Sequence, residues 1–159
     1  MSGFRYVQGL RGLAVFLTEK LHVDAQGLQF TESFYWDTND DTRAWTRRFV
    51  EKINGKQYPT MNHAGNYGGM LHFLKAIDAA QTRDGAKIVA KMKELPTDDP
   101  VFGKGRVRQD GRKIHDMYLF EVKKPSESKG PWDYYTLRGT IPAAQAFRPE
   151  KEGGCPLVK

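Results

Sequence analysis

Few residues in this chain are of types that carry a reaction. There are four histidines, His22, His63, His72 and His115, and one cysteine, Cys155. A zinc-protease site needs two histidines one helical turn apart, as in HExxH, so that both rings reach one ion. His63 and His72 are nine positions apart and fall on no such common face. Cys155 lies in "EGGCPLVK", a poor place to hold a nucleophile rigidly, and a lone cysteine excludes an internal disulfide and a CxxC metal site. "GNYGG" and "GKGRVRQDG" are rich in glycine but match neither a dinucleotide fingerprint nor a phosphate-cradling P-loop. Helix capping and a loop turn account for the acid pairs Asp40-Asp41 and Asp98-Asp99. The expectation is no enzyme: no catalytic residue, no metal site and no cofactor.

Binding chemistry is better represented. "TESFYWDTNDDTRAWTRRF" places Phe34, Tyr35 and Trp36 side by side at the end of a strand-like run. Aromatic rings are large apolar surfaces, normally buried singly at periodic positions. Three in a row cannot all serve one core, so at least one is expected to line a pocket.

The elements that must position this triplet read as α/β. Gly27 opens a strand over Leu28–Phe34, with Leu28, Phe30 and Phe34 at even spacing. Asn39, Asp40 and Asp41 start a helix, because side-chain oxygens satisfy its free amides and negative charge suits its positive end. Trp45, Phe49 and Ile53 form its apolar stripe, and Asn54-Gly55 its left-handed stop. Pro59 precedes a second helix from about Ala64 to Gln81. Its glycines, Gly65, Gly68 and Gly69, predict close approach by another backbone or a ligand. A third helix spans Asp84 to Leu95, ended by Pro96. Arg106–Gln109, the turn Asp110-Gly111, and Ile114–Lys123 predict a hairpin. The polar loop "KPSESKGP" then leads to Trp132-Asp133-Tyr134-Tyr135, and a charged tail from Arg148 is expected to lie loosely on the surface.

Composition is consistent with one globular domain. The 159 residues are 39% hydrophobic and 28% charged. The run Leu13–Leu17, readable as strand or helix, is too short to cross a bilayer. The N-terminal stretch lacks the features of a secretion signal. The net charge of +6 is carried by basic residues scattered among acids, so no nucleic-acid partner is expected. A small nucleic-acid or anion-binding module, stacking bases on Trp36, Trp132, Tyr134 and Tyr135, is the alternative.

Three stretches together, "GLQFTESFYWDTNDDTRAWTRRFVEKING", "NYGGMLHFLKAIDAAQTRDGAKIVAKMKEL" and "GRVRQDGRKIHDMYLFEVKKP", resemble the C-terminal part of ABC-transporter substrate-binding proteins of the branched-chain amino-acid (Leu/Ile/Val-binding) type. The resemblance implies a partial periplasmic-binding-protein type I fold with incomplete lobes. About three helices, a mixed sheet and a C-terminal hairpin are expected, over residues 1–147, with 148–159 as a surface tail. It implies a periplasmic solute-binding role beside ABC permease subunits. The solute would be an amino acid, amide or small aromatic acid, and the incomplete chain is expected to self-associate. It further implies that the loop after Leu28–Phe34 borders the cleft, making Tyr35 and Trp36 ligand-facing and Phe34 core. Asp37 becomes a candidate partner for an ammonium, and Tyr67 for a polar contact through its hydroxyl. The residues that usually grip an amino acid's carboxylate in that family lie upstream of Met1.

Overall fold

The computed structural model describes residues 25–55 and 57–158. The run Leu13–Leu17 lies outside them. Strand β1 covers Gln29–Glu32 and enters through Gly27, whose φ of 79° is one that glycine adopts without strain. Helix α1 covers Asp40–Lys52. Asn39 caps it reciprocally: its side chain accepts from the Thr42 amide at 2.9 Å, and its own amide donates to the Thr42 hydroxyl at 3.0 Å. The helix unwinds through Asn54 and Gly55, both at positive φ, and the Gly55 amide returns to the Val50 carbonyl at 2.9 Å.

Helix α2 covers Met61–Ala80, starting before the expected Ala64. The His63 ring accepts the Thr60 amide at 3.1 Å, so an imidazole replaces the usual acidic cap and hides the boundary. Of its three early glycines only Gly68 meets a close neighbour among the described residues. A Cβ there would stand 3.2 Å from both the Asp99 carboxylate and the Phe102 ring, whereas Gly65 and Gly69 face open space. Helix α3 covers Gly85–Glu94, capped by Asp84, and packs on α2 where the His72 ring meets the Met92 carbonyl at 2.8 Å.

The described strands form two antiparallel three-stranded sheets rather than one. In the first, β5 (Met117–Val122) lies between β1 and β6 (Tyr135–Ile141), with Phe30 opposite Phe120. The second orders β2 (Thr97–Asp99), β3 (Gly103–Val107) and β4 (Lys113–Ile114). The expected hairpin arm Ile114–Lys123 is therefore two strands in different sheets. His115 divides them: its ring packs on Phe102 at 4.7 Å and meets the Asp116 carbonyl at 2.7 Å, turning the chain away after Ile114. Gly105 permits the β3–β4 pairing, because a Cβ there would lie 2.2 Å from the Ile114 carbonyl oxygen.

After the short helix α4 (Ala143–Ala146), the terminal residues contact the β3–β4 turn. Arg108 donates to the Arg148 carbonyl at 2.9 Å, and Glu150 accepts the Gln109 amide at 2.7 Å. Two apolar clusters result. Tyr35, Phe120, Val122 and Tyr135 form one over the first sheet; Phe34, Trp45, Ala64 and Val101 form the other between α1 and α2. Trp36 packs against both. Trp45 is 5% exposed and Phe49 only half-buried. Urea denaturation should therefore show Trp45→Ala losing roughly 3–5 kcal/mol and Phe49→Ala about half as much. Equal losses would contradict this division of the core.

An aromatic candidate ligand site

The strand β1 ends at Glu32, and the three consecutive rings beyond it separate. Phe34, 3% exposed, meets Trp45 edge-on at 5.5 Å in the helical cluster. Tyr35 turns the other way, onto Phe120 and Tyr135 at 5.4 and 4.9 Å. Trp36 lies between them. Its indole Nε1 donates to the Trp132 carbonyl at 2.7 Å, and the Tyr35 hydroxyl donates to that same oxygen at 2.7 Å. The Tyr35 oxygen also accepts the Tyr134 amide at 3.0 Å. The loop after β1 is thus fastened to the loop before β6. Tyr58 completes the arrangement, edge-on to Trp36 at 4.9 Å and stacked on Trp132 at 5.9 Å with 7° between planes.

These loops enclose a small aromatic cavity. Phe34, Tyr35, Pro59 and Tyr135 are buried beneath it; Trp36, Tyr58, Trp132 and Tyr134 are half-buried around it. Its volume is about 30 Å³, room for one water-sized group. On the far side of Trp36 and Tyr58 lies an open cleft of about 300 Å³, which Arg43, Thr46, Arg47, Val50 and Glu51 also line. Trp36 is a wall of both spaces.

Of the residues singled out in the sequence, the structure brings Tyr35 and Trp36 together at the cavity. Asp37 is engaged elsewhere, by the Arg43 guanidinium at 2.8 Å, and Tyr67 packs on Trp45 at 5.3 Å; neither lines these two cavities. Sequence reasoning missed Glu32 and Tyr58 as lining residues and named Trp132, Tyr134 and Tyr135 only as stacking rings of the alternative reading. Tyr58 carries no local signal, since folding alone brings it to Trp36. Glu32 does carry one, standing at the even spacing of Leu28, Phe30 and Phe34, an acid on an otherwise apolar face.

A family described as "Periplasmic binding protein" matches residues 7–131. The chain belongs to the periplasmic binding protein family. It resembles a periplasmic binding protein from Burkholderia mallei, with 44% identity over 89% of this chain and a TM-score of 0.82. A branched chain amino acid ABC transporter periplasmic ligand-binding protein from Burkholderia xenovorans is 40% identical over the same share, also at 0.82. A leucine-, isoleucine-, valine-, threonine- and alanine-binding protein from Brucella ovis, 19% identical over 79% of this chain and at TM-score 0.65, shares the fold. Comparison with curated proteins gives no match. The chain spans 37% of the length of each of the two Burkholderia proteins, so it represents part of a periplasmic-binding-protein type I fold. The family is periplasmic, and the Burkholderia xenovorans relative is a ligand-binding protein of an ABC transporter.

Within this partial binding-protein fold the electrostatics are unusual at one point. Burial raises the Glu32 carboxyl from 4.5 to about 7, and the Ser33 amide, at 3.4 Å, offsets this only partly. Burial likewise pushes the Tyr35 and Tyr135 phenols above their ordinary range. Among the described residues the Tyr135 hydroxyl is buried with no hydrogen-bond partner. Because the folded state holds the Glu32 proton more tightly than the unfolded chain does, its contribution is most favourable below about pH 4.5. That contribution declines as pH rises to about 7 and is level above it. Glu32→Gln should therefore gain stability over wild type progressively across that interval, measured by thermal melts from pH 4 to 8. A constant difference across the series would contradict the assignment.

Proposed function

We propose that this chain forms the C-terminal portion of the solute-binding component of an ABC importer and supplies an aromatic wall of its ligand cleft. The observation that carries this is the Tyr35–Trp36–Trp132 clamp, which holds indole and phenol rings at a cleft in a chain of this family. The action is capture rather than conversion, with ABC permease subunits receiving the solute at the periplasmic face. Residues 1–147 are assigned to the binding-protein portion and 148–159 to a surface tail. Flat rings suit a small solute with an apolar part: an amino acid, an amide or a small aromatic acid. The Burkholderia xenovorans relative, named for branched-chain amino acids, makes those the first solutes to try. A space of about 30 Å³ cannot take a whole amino acid, so most of the solute would lie outside it, against Trp36 and the rest of a two-lobed fold. Asp37 holds Arg43, and Tyr67 packs on Trp45. The isolated chain exposes Met70, Leu74 and Val89, an apolar surface that favours self-association.

The test is a chimera in which this chain replaces its counterpart in the Burkholderia mallei protein. A thermal-shift panel of branched-chain amino acids, amides and aromatic acids should find a ligand. Trp36→Ala should then weaken it by about 1–3 kcal/mol, the scale of one buried aromatic contact, while Asp37→Asn should not. If Trp36→Ala lowers the melting temperature and leaves the affinity of the folded protein unchanged, Trp36 is only a packing residue and the proposal fails.

A further inference from the structure

The stretch "GKGRVRQDG" takes no part in the aromatic site. On β3 and just beyond it, Lys104, Arg106 and Arg108 stand at every second position, so strand geometry sends their side chains to one face. All three line one open groove of about 800 Å³. Its opposite wall is Ala143 and Ala144 of α4, followed by Phe147 and Arg148. Among the described residues the lining therefore holds four cations and a single carboxylate, Glu150.

Two of these charges are already committed. Arg108, its side chain 7% exposed, pairs with Asp110 at 2.5 Å and donates to the Arg148 carbonyl at 2.9 Å. Glu150 accepts the Gln109 and Asp110 amides at 2.7 and 3.3 Å. These contacts tie the terminal segment to the strand and hold the groove's two walls together. Lys104, Arg106 and Arg148 remain exposed, and among the described residues their charged ends have no ion pair or hydrogen bond. Asp98, opposite Lys104 in the β2–β3 ladder, forms no ion pair with it and does not line the groove. Arg148 also lines an adjoining cleft, extending the positive surface to Arg112.

We propose that this groove docks an extended acidic segment of a partner protein, with carboxylates at alternate positions and small side chains between them. An extended peptide repeats each face every second residue, about 7 Å, the same spacing that separates neighbouring cations on β3. Its carboxylates then meet Lys104 and Arg106, while the intervening side chains face Ala143 and Ala144. A nucleic acid fits less well, because single strands bind through aromatic faces on which bases stack. The groove's one ring, Phe147, is covered by the Arg112 guanidinium at 5.7 Å and met edge-on by His115 at 5.8 Å. No residue is shared with the aromatic cavity or its neighbouring cleft, so this inference stands apart from the solute-binding reading.

A fluorescein-labelled octapeptide alternating aspartate and alanine, titrated with the full chain at pH 7 and low salt, tests the docking by fluorescence anisotropy. Binding should be saturable and should weaken as added salt screens the exposed charges. Lys104→Glu and Arg106→Glu should each weaken it about tenfold. Arg48→Glu, the same charge change on the exposed face of α1, should weaken it less than about twofold. A peptide of the same composition, with its aspartates in one block and its alanines in another, should bind about tenfold more weakly. Equal binding of the two peptides, or an equal loss with Arg48→Glu, would reduce the effect to net charge and overturn the groove. So would the absence of saturable binding. A thymidine octanucleotide that bound as tightly as the alternating peptide would make this a nucleic-acid surface and overturn the proposal as well.

Discussion

The carbonyl oxygen of Trp132 receives two side-chain hydrogen bonds, from the Tyr35 hydroxyl and the Trp36 indole, each 2.7 Å long. These bonds join segments about a hundred residues apart and decide where three rings stand. Trp132 itself is held at a φ of 71°, a left-handed conformation that strains a bulky residue by roughly 1–2 kcal/mol. Two part-buried hydrogen bonds, at about 1 kcal/mol each, are of the same size and offset that strain. The next residue secures the turn from below. The Asp133 carboxylate takes the Lys129 amide at 2.9 Å and pairs with the Lys123 ammonium. Burial alone would raise that carboxyl, but these partners overcome it and hold the carboxyl below its ordinary value.

The aromatic triplet follows from this constraint. A strand alternates its side chains and a helix spaces them, so three adjacent rings can be used only where the chain leaves both patterns. Here Phe34 goes to the helical cluster, Tyr35 to the sheet cluster, and Trp36 bridges the two. Trp36 belongs to both clusters and walls two cavities, so the candidate site is built from the same contacts as the core. This is the structural link between the fold and its proposed capture role.

Much of the fold was legible because its signals are local. Asn39 through Gly55 contains a cap, a stripe and a stop, and α1 follows all three. The start of α2 was less legible because a histidine does the capping. The division at His115 was illegible. Nothing in "KIHDMYLFEVKK" breaks the strand pattern, and the contacts that His115 makes at the turn, with Phe102, Phe147 and the Asp116 carbonyl, appear only in the folded chain. The candidate site divides in the same way. Tyr35 and Trp36 stood out by breaking periodicity, whereas Tyr58 and Trp132 are supplied by tertiary structure. Glu32 was legible in principle, as a polar residue on the apolar face of β1. The family resemblance rested on ordered stretches spanning most of the chain, and the family match over residues 7–131 bears it out.

The central claim is that the clamped rings face the ligand of a two-lobed binding protein. A crystal structure of the Burkholderia mallei chimera with its best solute tests this most directly. The account predicts the solute within about 4 Å of the Trp36 ring, with the Tyr35 and Trp36 bonds to the Trp132 carbonyl intact. A solute bound between the lobes without touching Trp36, Tyr58 or Trp132 would contradict it.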